Sequence, residues 1–141
     1  MTTAPVLAYF DITAKTELFT DASGVAIGGV VQQVDAAGHS RPIGYYSRRL
    51  TPAEMNYHTY DRELLAVKET LMAFRHLLLG IKISIKTDHQ SIRQLYSQSS
   101  ELMGRRLRWL CFLNEFDIEE IQHIPGVSNV VADNLSRYAD L

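Results

Sequence analysis

Alternating apolar and polar residues mark the first half of the chain as a series of short strands. Residues 18–21, 25–34 and 42–47 show this period of two and are separated by residues that favour turns. Because short turns join antiparallel neighbours, these segments predict a three-stranded meander. Gly28 and Gly29, inside the second strand, either weaken it or allow another backbone to approach closely.

The apolar period lengthens between Thr51 and Gly80, which predicts one long helix. Thr51 is suited to the N-cap and Pro52 to the first helical position, and Glu54 completes a capping box with Thr51. Gly80 is suited to the turn that ends the helix. Alternating spacings of four and three residues form one apolar stripe at Tyr60, Leu64, Val67, Leu71, Phe74 and Leu78.

Strands and helices alternate through the rest of the chain. Ile81, Ile83 and Ile85 alternate with polar residues in a fourth strand that ends at Asp88. The later pattern predicts helices at 90–96, 102–115 and 130–138 and a fifth strand at 117–123. The order βββ-α-β-α-α-β-α predicts an α/β fold in which helices pack on the faces of a mixed sheet.

The composition fits one globular domain with a sizeable core, because 46% of the 141 residues are apolar and 21% are charged. The formal charge of −2 does not indicate a domain that binds nucleic acid by its own charge. A nucleic-acid partner would be bound weakly or with the help of neighbouring domains. No apolar run approaches the length of a membrane span, and no secretory signal is visible.

Cys111 is the only cysteine, which excludes an intrachain disulfide. It stands among Trp109, Leu110 and Phe112, a setting that predicts a buried and unreactive thiol. The absence of disulfides from the sequence is consistent with a reducing, intracellular compartment.

Four carboxylates occupy positions that suggest a chemical role. Asp21 and Asp88 each end a predicted strand, and Glu63 stands at the edge of the apolar stripe. Asp133 belongs to the last predicted helix. Each also has a structural explanation: a turn for Asp21, a helix cap for Asp88, a boundary position for Glu63 and solvation for Asp133. With 16 acidic residues in the chain, an accidental cluster forms easily.

Taken together, the four carboxylates favour a metal site. The two strand ends and the long helix would bring three of them to one end of the sheet, and the final helix would add the fourth. Carboxylates so close together repel one another, and divalent cations relieve that repulsion. Oxygen-only ligands select Mg²⁺ or Mn²⁺. Two such ions about 3.5–4 Å apart activate water and stabilise the leaving oxygen of a phosphodiester, which is nuclease chemistry.

Four stretches of the sequence are specific enough for a family comparison. They are LFTDAS, PIGYYSRRLTPAEMNYHTYDRELLAV, RHLLLGIKISIKTDHQSI and IPGVSNVVADNLSR. In this order, from about Pro5 to Arg137, they resemble the ribonuclease H domain of gypsy-type long-terminal-repeat retrotransposon polyproteins. The opening APVLAYFD resembles the end of the connection that follows reverse transcriptase. The resemblance implies that residues 1–15 end this connection segment and that residues 16–141 form the ribonuclease H domain.

The resemblance also implies a five-stranded mixed sheet flanked by helices, in the ribonuclease H-like fold. The implied activity is hydrolysis of the RNA strand of RNA–DNA hybrids during reverse transcription, which leaves a 3′-hydroxyl and a 5′-phosphate. The metal-binding acids of the family correspond to Asp21, Glu63, Asp88 and Asp133, all of which are acidic here. They would hold two Mg²⁺ ions, for which Mn²⁺ could substitute.

Partners and location follow from the same resemblance. The implied partners are the RNA–DNA hybrid and the reverse transcriptase and connection domains of the same polyprotein, with no membrane involved. An active element implies a cytoplasmic location inside retroelement particles, and a domesticated gene allows a nuclear one.

Further candidates surround the four acids. His123 lies ten residues before Asp133, near the position where related ribonucleases H carry a histidine thought to assist product or metal release. The alternative is a polar residue at the sheet rim. His89 is disfavoured as a ligand by the oxygen-only preference. Candidate contacts to 2′-hydroxyls and phosphates are Ser23, Ser47, Arg48 and Gln90.

The helix at 102–115 and the overall function each allow an alternative. Arg105, Arg106 and Arg108 form either a basic ridge or the solvated side of a helix that buries Trp109. The chain could also be a catalytically silent structural or domesticated interaction module, which the four intact acids disfavour. Action on DNA, as in integrases and transposases of the same fold, is disfavoured by the stretches RELLAV and VADNLSR.

Overall fold

A computed structural model describes residues 9–87, 104–125 and 131–132 of the chain. Within these ranges the strands are β1 (Lys15–Ala22), β2 (Ala26–Val34), β3 (Ser40–Arg49), β4 (Lys82–Thr87) and β5 (Asp117–His123). The helices are α1 (Pro52–Met55), α2 (Thr59–Ala73), α3 (Arg75–Leu78) and α4 (Gly104–Leu113). The helix predicted at 90–96 and most of the one predicted at 130–138 lie outside the described residues. No helix of the described ranges is long and apolar enough to cross a membrane.

The five strands form one mixed sheet in the order β3-β2-β1-β4-β5. β1 pairs antiparallel with β2, and β2 pairs antiparallel with β3. β1 pairs parallel with β4, and β4 pairs parallel with β5. The predicted meander, the mixed sheet and the α/β fold class are therefore confirmed, and β1 is the central strand.

The topology fixes the direction in which α2 crosses the sheet. β3 and β4 both run parallel to β1. The helices that join them must therefore carry the chain from the end of the sheet where β3 finishes back to the end where β4 begins. α2 therefore begins at the edge where β1, β4 and β5 end. We call this the carboxyl edge, defined by Ala22, Thr87 and His123.

The apolar stripe predicted on the helical region packs on the sheet and forms the main core. Its buried members are fully inaccessible to solvent: Leu64, Val67, Leu71, Phe74 and Leu78. They pack in one cluster with sheet residues that include Leu18, Ile27, Val31, Ile83 and Ile85. Burial of each such side chain contributes about 1.5–3 kcal/mol, so this stripe holds the helices on the sheet.

Gly29 permits a close approach between α2 and the sheet. A Cβ atom added to Gly29 would lie 2.2 Å from Thr70 Oγ1 and 2.6 Å from Thr70 Cγ2. The Thr70 hydroxyl donates a hydrogen bond to the Ala66 carbonyl at 2.7 Å, so it is fixed against its own helix. Of the two roles considered for this glycine, the structure supports close approach, although the group that approaches is the Thr70 side chain and not a backbone.

The prediction of one continuous helix from Thr51 to Gly80 is wrong. The predicted capping box is present, but α1 ends at Met55 and Asn56 forms its C-cap. His58 then adopts an extended backbone and caps α2, accepting a hydrogen bond from the Tyr60 N–H. The apolar stripe begins only at Tyr60, and the cap from His58 starts a second helix there, so the helical region is interrupted between Met55 and Thr59.

The prediction of a buried thiol at Cys111 is also wrong. α4 buries Trp109, Leu110 and Leu113, whereas Cys111 is exposed. The helix has only one core-facing side, and Cys111 projects from the other side although its neighbours in sequence are apolar. The burial of Trp109 agrees with the core position considered for it.

Candidate metal site at the carboxyl edge of the sheet

Asp21 lies at the end of the central strand, opposite Gly28 of β2. Leu18 belongs to the core beneath α2, and Phe19 packs on the other side of the sheet. Since side chains alternate along a strand, Asp21 is on the same face as Phe19. The strand thus delivers a half-buried carboxylate to the carboxyl edge.

A small pocket adjoins Asp21 at this edge. Its volume is about 130 Å³, and its lining residues are Asp21, Ser23, Ala26, Ile27, Gly28, Ser47, Val131 and Ala132. Ligand pockets for drug-sized molecules usually exceed about 300 Å³, whereas one water occupies about 30 Å³. The pocket is therefore of a size for a few waters or a hydrated ion, and a nucleotide would lie outside it.

Glu63 comes from the second turn of α2 and is 6% exposed. It precedes Thr70 by seven residues, almost two full turns, so both side chains lie on the sheet side of the helix. The small residues Ala66 and Thr70 on that side are fully buried, and they keep the helix close to the sheet. Glu63 thus lies at the beginning of α2 and approaches the carboxyl edge from the α2 face of the sheet, whereas Asp21 approaches the same edge from the opposite face.

The other two predicted ligands lie just beyond the ends of described segments. Asp88 follows Thr87 in sequence and Asp133 follows Ala132, and both lie outside the described residues, as does Gln90. Within the ranges that the structure does describe, no group of three or more metal-binding side chains is present. The four-carboxylate site therefore stays a prediction, of which the structure locates Asp21 and Glu63.

His123 ends β5 and pairs with Thr87 of β4, so it belongs to the same carboxyl edge. Two strand spacings separate β5 from β1, which is roughly 10 Å. Glu120 and Gln122 contact Lys86, whereas Ile121 belongs to the core beneath α2. Alternation along β5 places His123 with Ile121, on the face that α2 covers.

Two of the predicted substrate contacts line the pocket beside Asp21. Ser47 pairs with Gly28 across β2 and β3. The Ser23 hydroxyl accepts hydrogen bonds from the Ala26 N–H at 3.1 Å and the Val25 N–H at 3.3 Å. Ser23 therefore shapes the turn after β1 in addition to lining the pocket, and its contact with substrate stays a prediction.

Arg48, a third predicted substrate contact, is engaged by carboxylates of the helical region. Its guanidinium donates to both oxygens of Glu54, at 2.7 and 2.9 Å, and lies 3.6 Å from Glu69. Hydrogen bonding from Arg48 lowers the pKa of Glu54 to about 2, and bonding to Glu54 raises the pKa of Arg48. This pair ties the end of β3 to α1, so Arg48 would have to exchange carboxylates for a phosphate to contact substrate.

A cluster around Asp61 is absent from the sequence predictions. Asp61 is 4% exposed and is bound by Arg105 and Arg106 of α4. Arg105 and Arg106 are interpreted from the sequence either as a basic ridge or as the solvated side of the helix. Neither interpretation fits fully, because both arginines form ion pairs with a buried aspartate. The signal in the sequence is an aspartate in the first turn of an amphipathic helix, which ordinarily indicates only a favourable interaction with the helix dipole.

The strand β4, which ends at Thr87, also contains a buried lysine. Lys86 is 5% exposed; its ammonium group lies 3.5 Å from Glu17 and 3.6 Å from Glu120 and donates a hydrogen bond to Gln122. Ser84 donates to Glu120 on the same face of the sheet. Alternation alone predicts a solvated face for Lys86, whereas the paired strands supply polar partners that make its burial tolerable.

The sheet order, with α2 packed on one face and a carboxylate at the end of the central strand, defines a ribonuclease H-like fold. A foamy viral protease-reverse transcriptase in complex with an RNA/DNA hybrid shares it with a TM-score of 0.63, at 20% identity over 86% of this chain and 17% of that one. RNase H1 from the halophilic archaeon Halobacterium salinarum NRC-1 gives a TM-score of 0.51, at 20% identity over 89% of this chain and 98% of that one.

Sequence similarity identifies the family within this fold. Residues 11–116 match the model of the RNase H-like domain found in reverse transcriptase. The Tf2-3 and Tf2-4 transposon polyproteins of Schizosaccharomyces pombe (strain 972) are each 40% identical to the chain over 139 residues, which is 96% of this chain and 10% of each polyprotein. The chain belongs to the family of RNase H-like domains found in reverse transcriptases. It spans about a tenth of the length of these relatives.

Proposed function

We propose that this chain is the ribonuclease H domain of a gypsy-type retrotransposon polyprotein and that it hydrolyses the RNA strand of RNA–DNA hybrids. The observation that carries the proposal is the placement of Asp21 and Glu63 at one edge of the sheet, in a domain of the reverse transcriptase family. These are two of the four acids expected to hold metal, and they come from different elements of the fold.

The donor atoms at this edge fit a hard divalent cation. Asp21 and Glu63 offer carboxylate oxygens only, which suits Mg²⁺ and Mn²⁺. Nearby carboxylates are already bound by arginine, as Glu54 is by Arg48 and Asp61 is by Arg106. Together with Asp88 and Asp133, Asp21 and Glu63 would hold two ions, which supply an activated water and stabilise the leaving 3′ oxygen.

The remaining polar residues would hold the substrate in place. Ser23 and Ser47 border the pocket beside Asp21, where they would contact the sugar-phosphate backbone of a strand lying over the edge. Gln90 is a further candidate from sequence, and His123 would assist release of the product or the ion. Hydrolysis would leave a 5′-phosphate and a 3′-hydroxyl.

The relatives support the proposed partners. The viral reverse transcriptase that shares the fold is bound to an RNA/DNA hybrid, and the relatives in sequence are long polyproteins. A formal charge of −2 gives this domain little attraction for phosphate backbones. We infer that the reverse transcriptase and connection domains of the same polyprotein supply most of the affinity for the hybrid.

Cleavage of a labelled RNA–DNA hybrid at low salt, with Mg²⁺ or with EDTA, tests the proposal. The wild-type domain should cut the RNA strand only with metal, and Asp21→Asn and Asp88→Asn should each lose nearly all activity. Asp117→Asn is the matched control, because Asp117 is an exposed strand-terminal aspartate at the opposite edge of the sheet. No cleavage by the folded wild type at high protein concentration would instead favour a catalytically silent module.

A further inference from the structure

Asp61 is a buried charge in the first turn of α2, where aspartate would ordinarily stay in water. Its carboxylate accepts hydrogen bonds from Arg106 Nε at 2.7 Å, from Arg106 Nη2 at 3.4 Å and from Arg105 Nη2 at 3.2 Å. A buried carboxylate is tolerated when it is paired in this way. The two arginines therefore tie α4 to the beginning of α2.

Two tyrosine rings complete the interaction. The guanidinium carbon of Arg105 lies 3.8 Å from the centroid of the Tyr57 ring, and that of Arg106 lies 4.7 Å from the centroid of the Tyr60 ring. Each guanidinium is thus held by an aromatic face and by the Asp61 carboxylate. We call these five residues, Tyr57, Tyr60, Asp61, Arg105 and Arg106, the arginine bridge.

The arginine bridge acts in a turn of α2 that buries no apolar side chain. The buried apolar residues of α2 begin at Leu64, and the buried residues before it are Asp61 and Glu63. The interruption at His58 separates this turn from α1, so α1 does not extend it. The first turn of α2 is therefore held by the arginine bridge, including the partly buried Tyr60 ring that packs against the main core.

Asp61 and Glu63 are two residues apart on the helix, which is about 200° of rotation. Asp61 accordingly faces α4 while Glu63 lies on the sheet side. Fraying or rotation of this turn would displace the Glu63 carboxylate from the carboxyl edge. We propose that Asp61, held by Arg105 and Arg106, is a positioning residue that fixes Glu63 for metal binding, an inference that rests on the proposed function.

Asp61→Asn is the test variant, because it keeps the shape of the side chain and removes its charge. In this variant Arg105 and Arg106 lose their charged partner. Each side chain is 39% exposed, so water can solvate both guanidinium groups. Glu115→Gln is the matched control, since it removes the half-exposed pair between Arg75 and Glu115 just after α4 and leaves the first turn of α2 untouched. Arg106→Lys is the second test variant, because lysine keeps the positive charge but cannot donate two hydrogen bonds to Asp61 from a planar fork.

Hydrogen exchange of the backbone amides measures whether the arginine bridge holds the turn. In Asp61→Asn and Arg106→Lys the amides at residues 62–65 should exchange at least several-fold faster than in the wild type, with little change at residues 66–73. Glu115→Gln should leave the exchange rates at residues 62–65 and 66–73 unchanged. The proposal would be overturned if the amides at residues 62–65 exchanged at the wild-type rate in both test variants.

Calorimetric titration with Mn²⁺, in the absence of nucleic acid, measures whether the turn matters for the metal. Binding should be roughly 10-fold weaker in Asp61→Asn and Arg106→Lys than in the wild type and Glu115→Gln, as expected for residues that orient a metal ligand. Wild-type affinity in both test variants would overturn the positioning role alone. A wild-type domain that binds no Mn²⁺ would overturn the proposed function and, with it, the role of Asp61.

Discussion

Thr20 and Thr87 lie opposite each other on the adjacent parallel strands β1 and β4, and both side chains are buried. The strands are about 4.8 Å apart, and the residues that follow these threonines in sequence are Asp21 and Asp88. The register of the sheet thus gives a physical reason to expect that both aspartates serve one metal site.

A cation shared by these residues should stabilise the folded domain. At a Mg²⁺ concentration 100 times its dissociation constant, the free energy of unfolding of the wild type should rise by about 2.7 kcal/mol. Asp88→Asn and Glu63→Gln should lose most of this increment because each removes a ligand. Urea unfolding with and without Mg²⁺ measures this increment in the free energy of unfolding. Asp117→Asn is the control and should keep the full increment. An undiminished increment in both variants would contradict the assignment.

The elements of the fold are largely predictable from the local sequence. Each of the five strands begins and ends within three residues of its predicted bounds. The Thr51–Glu54 capping box is present, and Gly80 has a positive φ of 79° where the helical region ends. These features depend on neighbours within a few residues, so the pattern of the sequence contains them.

The contacts that shape the site are harder to predict because they join distant residues. Arg106 and Asp61 are 45 residues apart, and Lys86 and Gln122 are 36 apart. Which of the 16 acids meets which base depends on strand order and helix direction. The break at His58 has a different cause, since α1 buries no residue, the apolar stripe begins only at Tyr60, and a local side-chain cap starts α2 between them.

Acid should weaken the interaction between β3 and α1. Glu54 has an ordinary pKa of 4.5, and hydrogen bonding from Arg48 lowers it to about 2 in the folded domain. Because the folded-state pKa is depressed, this stabilisation is fully present above about pH 4.5 and is lost as the pH falls towards 2. The expected loss is on the order of 1–2 kcal/mol after allowance for solvent access.

Urea unfolding between pH 7 and pH 2.5 measures this loss. Other carboxylates also titrate in that range, so the comparison is between the wild type and Glu54→Gln. At pH 7 the free energy of unfolding of Glu54→Gln should be lower than that of the wild type. This difference in free energy should shrink towards pH 2.5. Glu119→Gln, at an exposed position on β5, is the control. A constant difference between Glu54→Gln and the wild type across the range would refute the ion-pair explanation.

Gly29→Ala should destabilise the domain, because the added Cβ would lie 2.2 Å from Thr70 Oγ1 and 2.8 Å from Thr70 Cβ. Overpacking of this kind costs roughly 1–3 kcal/mol in the free energy of unfolding. Gly24→Ala is the matched control, since no atom lies within 4 Å of the Cβ it would add. Thermal and urea unfolding compare the two variants.

A second substitution tests whether that cost comes from the close approach of α2. Thr70→Ala in the Gly29→Ala background removes Oγ1 and Cγ2 and should restore part of the stability, because the remaining approach to Thr70 Cβ is less severe. Glu63 lies two turns before Thr70, so Gly29→Ala should also weaken Mn²⁺ binding by displacing α2 from the sheet. Full stability of Gly29→Ala, or no recovery in the double variant, would show that Gly29 and Thr70 do not set the distance between α2 and the sheet.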